Sequence, residues 1–287
     1  MGTILILIVY GVSLGMLYFL LASGLSLIFG LMNVLNLAHG SLFMWGAYMS
    51  FTVYKYTNSF ILGLIVGAVF VGLIGGVVEK YLIKPLKGKH MYQLLMTFGL
   101  IYILDEVVKI IWGTKVMVAP KPDWLNGSID LGSNTLPYYR IFIIVAGVLV
   151  FVGVTLLLKK TKLGMIIRAG IERPHMVRAL GINVGMIFTI TFMLGAAMAG
   201  FGGAVAGPFL SLYPAIGVEQ IFYALIVVVI GGIGNFSGSI VAGLLVGIIQ
   251  SIVGYYVPEL YMISAIAIMI VTLIVKPQGL LSKGAKA

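Results

Sequence analysis

The sequence predicts an all-α, polytopic helical membrane protein of about nine transmembrane helices, with the N-terminus outside and the C-terminus cytoplasmic. Three observations carry this. Hydrophobic residues make up 61% of the 287 and charged residues 9%, against about 25% charged in a soluble domain; the mean hydropathy is +1.15. The first charged residue is Lys55, so 54 residues pass without one. As helix they would extend about 80 Å against a hydrocarbon core of about 30 Å, and so must cross at least twice. The runs at 61–78 and 141–158 are continuously apolar and rich in Gly and Val. A soluble core helix has one polar face, and a barrel strand alternates apolar with polar residues; neither pattern is present.

Charge and turn residues divide the chain into spans at 4–29, 39–55, 60–79, 91–112, 139–158, 184–206, 219–233, 237–254 and 259–275. Two divisions have no charged marker. One lies at 31–40 (LMNVLNLAHG), the other at 231–238 (GGIGNFSG) inside the uncharged stretch 220–258. That stretch, about 58 Å as helix, is again too long for one crossing.

Nine spans put the termini on opposite sides, and basic residues choose which. With the C-terminus cytoplasmic, Lys80, Lys84, Lys87, Lys89, Lys159, Lys160, Lys162, Arg168, Arg173, Arg178, Lys276, Lys283 and Lys286 lie inside. Only Lys55, Lys115, Lys121 and Arg140 lie outside, with Lys109 within a span. This placement accounts for the +10 charge without nucleic acid. No cleaved signal peptide is apparent, since no Lys or Arg precedes the first apolar run. With no cysteine there are no disulfides and no thiolate metal sites. The chain reads as one transmembrane domain, 1–287, with an outer loop at about 113–137. Trp124 of that loop suits an interfacial anchor.

The cytoplasmic loop at about 159–183 ends in a short predicted helix. Pro174 sits near its first turn, where a missing N–H costs nothing, and Gly181 just past its end. Arg173 would be its cap, a poor one. Met176, Val177, Ala179 and Leu180 are then available to dock on a partner, flanked by Arg168, Arg173 and Arg178. The plain alternative is an ordinary positive-inside loop.

The two uncharged breaks are the second signal. The first holds Asn33, Asn36, His39, Gly40 and Ser41; the second holds Gly231, Gly232, Asn235, Ser237 and Gly238. Polar, non-helical backbone at membrane depth is tolerated only where protein or a water-filled cavity covers it. Asn33, Asn36, His39, Ser41, Gly231, Gly232, Asn235 and Ser237 are candidates for the translocation pathway, as broken or re-entrant segments near 31–41 and 231–239. The alignment of His39-Gly-Ser with Ser237-Gly-Ser suggests a weak parallel repeat. The alternative is two cytoplasmic turns with Asn and Gly as caps. Asp105 and Lys109, four apart in the fourth span, can pair on one helix face. Small residues from Gly195 to Gly207 in the sixth span allow close helix packing, within the chain or at a subunit interface.

No phosphate-binding loop, zincin motif or intramembrane carboxylate cluster is present. No catalytic residue, metal site or cofactor is expected, and uphill transport would need energy from a partner.

The segments 33–48 (NVLNLAHGSLFMWGAY), 161–182 and 227–247 (VVVIGGIGNFSGSIVAGLLVG), with the terminal KPQGL at 276–280, together resemble the branched-chain amino-acid ABC transporter permease family. The resemblance covers essentially the whole chain and is similar to the shorter of that system's two permeases. It implies a multi-pass protein of a bacterial or archaeal cytoplasmic (inner) membrane, surrounded by membrane lipid. Implied partners are a second related permease subunit (heterodimer or homodimer), two cytoplasmic ATPase subunits and an extracytoplasmic substrate-binding protein. The helix at 172–181, with Glu172 and Arg173 at its start, becomes the ATPase-coupling helix. Branched-chain amino acids are the implied substrates; other amino acids, short amides or urea are alternatives within the family. A stand-alone secondary transporter or facilitator is the rival outside it.

Overall fold

The computed structural model describes residues 2–130, 134–172 and 174–281. It is helical almost throughout. The elements are α1 (Gly2–Met32), α2 (His39–Thr57), α3 (Phe60–Val78), α4 (His90–Trp112), α5 (Tyr138–Lys160), α6 (Lys162–Glu172), α7 (Pro174–Ala179), α8 (Val184–Ala206), α9 (Ile216–Gly231), α10 (Phe236–Tyr256) and α11 (Tyr261–Val275). A small antiparallel hairpin, β1 (Ser128–Asp130) and β2 (Thr135–Pro137), precedes α5. Each of the nine expected spans centres on a separate helix, two of them, α9 and α11, only 16 and 15 residues long. Among the described residues, six segments are both long and apolar enough to cross a membrane: 3–30, 60–86, 138–160, 184–206, 236–256 and 258–275. α2 and α4 carry more polar and charged residues, and α9 is short at 16 residues.

α8 sits at the centre, packed against α1, α2 and α3, while α10 lies along α1. Small residues allow this: a Cβ on Gly203 would lie 1.8 Å from the Phe43 carbonyl oxygen, so the α2 and α8 backbones touch. The small-residue run of the sixth span therefore packs within the chain, through contacts that larger side chains would block.

The helices form two sets of reversed direction. α1 packs on α10 as α8 packs on α3; α1 meets α9 as α8 meets α2; α9 meets α11 as α2 meets α4. α1 and α8 run antiparallel, with Leu20 beside Gly202 and Ile28 beside Gly195. This corrects the parallel repeat expected from His39-Gly-Ser and Ser237-Gly-Ser. The repeat is inverted, relating α1–α4 to α8–α11, and the break that corresponds to 33–38 is 207–215. Both short connections return into the bundle. His39, at the start of α2, is fully buried, and its Nε2 is 3.2 Å from the Leu21 carbonyl oxygen. It also lies against Gly24, eight residues before the end of α1 and so about 12 Å back along its axis. Asn33, with φ of +51°, makes the reversal, a conformation Asn tolerates better than most side chains. On the other side, residues 207–215 are held by paired hydrogen bonds between Leu212 and Met117, 2.8 and 2.9 Å. The two interior helix starts then meet, Gly40 against Gly217.

The break at 231–239 is of a different kind, a tight turn between α9 and α10 at one end of the bundle. Gly232 and Gly234 adopt φ of +98° and +76°, and Asn235 caps α10 by accepting from the Gly238 N–H at 3.0 Å. Its neighbours are Gly30 near the end of α1 and the 276–281 segment, whose Leu280 N–H reaches the Ile230 carbonyl at 2.8 Å.

α3 does not end at the expected charged loop. It continues as a π turn, Glu79–Ile83, and a 3-10 turn, Lys84–Leu86. Across the bundle Thr189 of α8 donates to Glu79 at 2.5 Å. The described basic residues expected inside all collect at this end, with α6 and α7; Lys55, Lys115, Lys121 and Arg140 collect at the opposite end, where Trp124 packs edge-on against Phe60 and Phe142.

Candidate functional site

At the basic end, α6 and α7 form a small unit with its own apolar cluster. Ile167 of α6 and Val177 of α7 are buried against Val184, Ile187 and Phe188 of α8. α7 begins at Pro174 and closes as the sequence predicts. Gly181 takes φ of +78°; its N–H reaches the Arg178 carbonyl at 2.9 Å and the Ile182 N–H reaches the Val177 carbonyl at 3.3 Å. These two bonds are a Schellman closure, with Ile182 and Val177 making its hydrophobic contact. Val177 therefore holds the helix to its own chain. Met176 (58% exposed), Ala179, Leu180 (77% exposed) and Gly181 face outward, and so do Arg168 and Arg178. Arg173 lies outside the described residues, and Glu172 and Pro174 are placed by backbone alone.

α6 was not expected as a helix. Thr161 caps it, accepting from the Gly164 N–H at 3.1 Å. Leu163, Ile166, Ile167 and Gly170 form its inward stripe, the i, i+3, i+4, i+7 pattern that marks an amphipathic helix. That spacing was available in the sequence beneath the charges. Beside α7, Lys87 lies 4.1 Å over the Phe188 ring. Burial, then the nearby Arg178 charge, pull its ammonium below the ordinary lysine range.

The candidate pathway residues divide into two groups. Asn36, His39 and Ser41 lie in the interior, fully or almost fully buried. Ser41 donates to Asp105 of α4 at 2.9 Å, and the Leu37 N–H reaches Thr97 at 3.4 Å. Both side-chain amide atoms of Asn36 and Nδ1 of His39 have no hydrogen-bond partner. Lys109 pairs with Glu106 at 2.6 Å, correcting the expected Asp105–Lys109 pair. Three- and four-residue spacings are equally close on a helix, and Asp105 turns inward to α2.

Asn33, Gly231, Gly232, Asn235 and Ser237 lie at the basic end instead. There a cavity of about 640 Å³ brings Asn235 and Ser237 together with Lys159 and Arg168. The structure thus joins one residue expected in coupling to two expected in the pathway. Among the described residues, no group of His, Asp and Glu side chains could hold a metal ion.

At the opposite end a second cavity, about 570 Å³, opens between α1, α5, the 207–215 return, α9, α10 and α11. Arg140, Glu219, Gln250 and several tyrosines line it. Sequence reading left these residues unassigned, because no local spacing connects them.

The branched-chain amino acid transport system / permease component family model matches residues 7–273. The high-affinity branched-chain amino acid transport system permease protein LivH of Escherichia coli is 29% identical, covering 95% of this chain and 94% of that protein. BraD of Pseudomonas aeruginosa, which bears the same description, is 28% identical over 96% and 95%. The solved structure of PsaBC from Streptococcus pneumoniae in complex with Fab superposes with a TM-score of 0.54. It covers 94% of this chain and 91% of that one at 8% identity, a likeness of fold alone. With a family match over nearly its whole length, the chain belongs to the permease component family of branched-chain amino acid transport systems.

Proposed function

We propose that this chain is the membrane-spanning permease subunit of an ABC importer for branched-chain or related amino acids, in the cytoplasmic (inner) membrane. Its basic end faces the cytoplasm, by the positive-inside bias. It pairs with a second related permease subunit and two ATPase subunits, and receives substrate from a binding protein on the opposite side.

One observation carries this reading. Among the described side chains of α7, Val177 anchors it inward, while Met176 and Leu180 remain exposed one turn apart. Cationic side chains flank it, with Lys87 crowded by Arg178. A six-residue helix held rigidly and left with an apolar, cation-flanked face suits an acidic-rimmed cleft on a partner. Movement of that partner would be passed through α6 and the start of α8 to the bundle.

Reconstitution tests it. Proteoliposomes with both permeases, both ATPases and the binding protein are expected to accumulate radiolabelled leucine only with ATP and binding protein. A panel with other amino acids, short amides and urea then sets the substrate range. Uptake by this chain alone, without ATP, would replace the importer with a stand-alone carrier.

A further inference from the structure

Building on the amino-acid importer reading, we propose that the cavity opposite the basic end binds a zwitterionic amino acid, its carboxylate on Arg140 and its ammonium on Glu219. Arg140 is partly buried, stacked 3.7 Å from the Tyr10 ring centroid and 5.0 Å from that of Phe209. Its one hydrogen bond runs from Nη1 to the Tyr10 carbonyl at 3.5 Å. Among the described residues the single ion pair is Lys109–Glu106, so Arg140 has no carboxylate partner. A guanidinium carries five N–H donors, and one withdrawn from water without an anion is costly. The aromatic stack fixes its plane and leaves its fork for a ligand carboxylate, which it can bind through two parallel bonds.

Glu219, solvent-exposed, lines the same cavity and accepts a hydrogen bond from the Tyr213 hydroxyl, with no cation paired to it among the described residues. Opposite charges that share a cavity wall without neutralising each other select a ligand carrying both charges. A simple anion meets Glu219, and a simple cation meets Arg140. The wall also holds Tyr18 stacked on Tyr223 at 5.0 Å, π faces that favour an ammonium. Gln250, fully buried, donates to the Tyr261 carbonyl at 3.2 Å and keeps Oε1 unpartnered, a further acceptor. Leu14, Leu17 and Ile216 supply an apolar side for an aliphatic side chain. The volume, about 570 Å³, lies within the range of about 300–1,000 Å³ usual for small-molecule sites.

The test is equilibrium binding of radiolabelled leucine to the full chain in nanodiscs. Competitors are isoamylamine, which lacks the carboxylate, and 4-methylpentanoate, which lacks the ammonium. Each should compete at least about tenfold worse than leucine, the effect of losing one charge-assisted contact. Arg140→Gln should weaken leucine by about tenfold and abolish the penalty for the amine alone; Glu219→Gln should abolish the penalty for the acid alone. Should either variant fold poorly by its melting profile, Leu14→Trp, which fills the cavity and keeps both charges, must also reduce leucine binding. The proposal is overturned if wild-type chain binds no leucine saturably, or if the variants leave both penalties unchanged. ATP- and binding-protein-dependent leucine uptake by the reconstituted wild-type complex separates the two readings. If uptake is present while the cavity variants behave as wild type, the site is wrong and the importer stands; if uptake is absent, the importer reading fails.

Discussion

The bundle centre and the α6–α7 unit pack by opposite rules. Around α8, helix backbones touch one another through small residues, as at Gly203 and Phe43, leaving no room for an added atom. In α6–α7, a few side chains in a shallow cluster hold the unit to α8, and Val177 is the buried anchor among the described side chains of α7. In the centre almost any enlargement disturbs several helices at once. At the basic end an exposed position such as Leu180 can change with little effect on the packing. Packing density is greatest in the first region, and the proposed contact with partners falls in the second.

The comparison can be broken most forcefully at Gly203. Gly203→Leu should cost about 3 kcal/mol or more through overpacking and yield aggregated protein on size exclusion. Gly99→Leu, where a Cβ meets nothing within 4 Å, should elute and melt as wild type. A wild-type melting profile for Gly203→Leu would show that the centre is looser than described.

Within α7, Val177→Ala should cost about 2 kcal/mol by removing buried methyls, seen as a lower melting temperature. Met176→Asp and Leu180→Asp should change stability by less than about 0.5 kcal/mol, as exposed positions do. Both should nevertheless abolish ATPase co-purification or stimulated hydrolysis, because they bury a charge at the docking face. Retained co-purification with normal hydrolysis would return α7 to an ordinary solvated loop.

Asn36→Leu sharpens the contrast between folding and transport. Its amide is buried with neither polar atom paired, so the apolar replacement should be neutral or stabilising by about 1 kcal/mol. Uptake in the reconstituted complex should still fall severalfold, with the ATPases still attached. Unchanged uptake would make the interior break purely architectural. The smallest effect is expected for Lys109→Met, which removes an exposed pair with Glu106; its melting profile should overlay that of wild type.

The helices behind the expected spans were legible because uncharged runs longer than a bilayer admit few divisions. α7 was legible because Pro174 and Gly181 carry the chemistry of a helix start and stop. α6 was hidden by Lys162 and Arg168, which drew attention to charge and away from the apolar spacing of Leu163, Ile166, Ile167 and Gly170. The sense of the repeat was missed for a physical reason. Ser-Gly strings report local turns, whereas an inverted repeat is visible only in which helices touch. Asp105 was placed with Lys109 by helical spacing, but Ser41 on another helix claimed it. Arg140 and Glu219 share a cavity only because α5 and α9 converge on it, and no local pattern encodes that convergence.

The two helices that start inside the bundle have an electrical consequence. α2 and α9 begin at Ala38 and Ala215 without a side-chain cap, so each presents a helix N-terminus worth about half an elementary positive charge. An acid accompanies each: Asp105 through Ser41 at the start of α2, and Glu219 in the first turn of α9. The reversed halves therefore share an arrangement in which a carboxylate offsets a dipole end at each interruption. In each half a formal negative charge near the interruption thus lies within reach of a helix start, a pairing that helix dipoles favour.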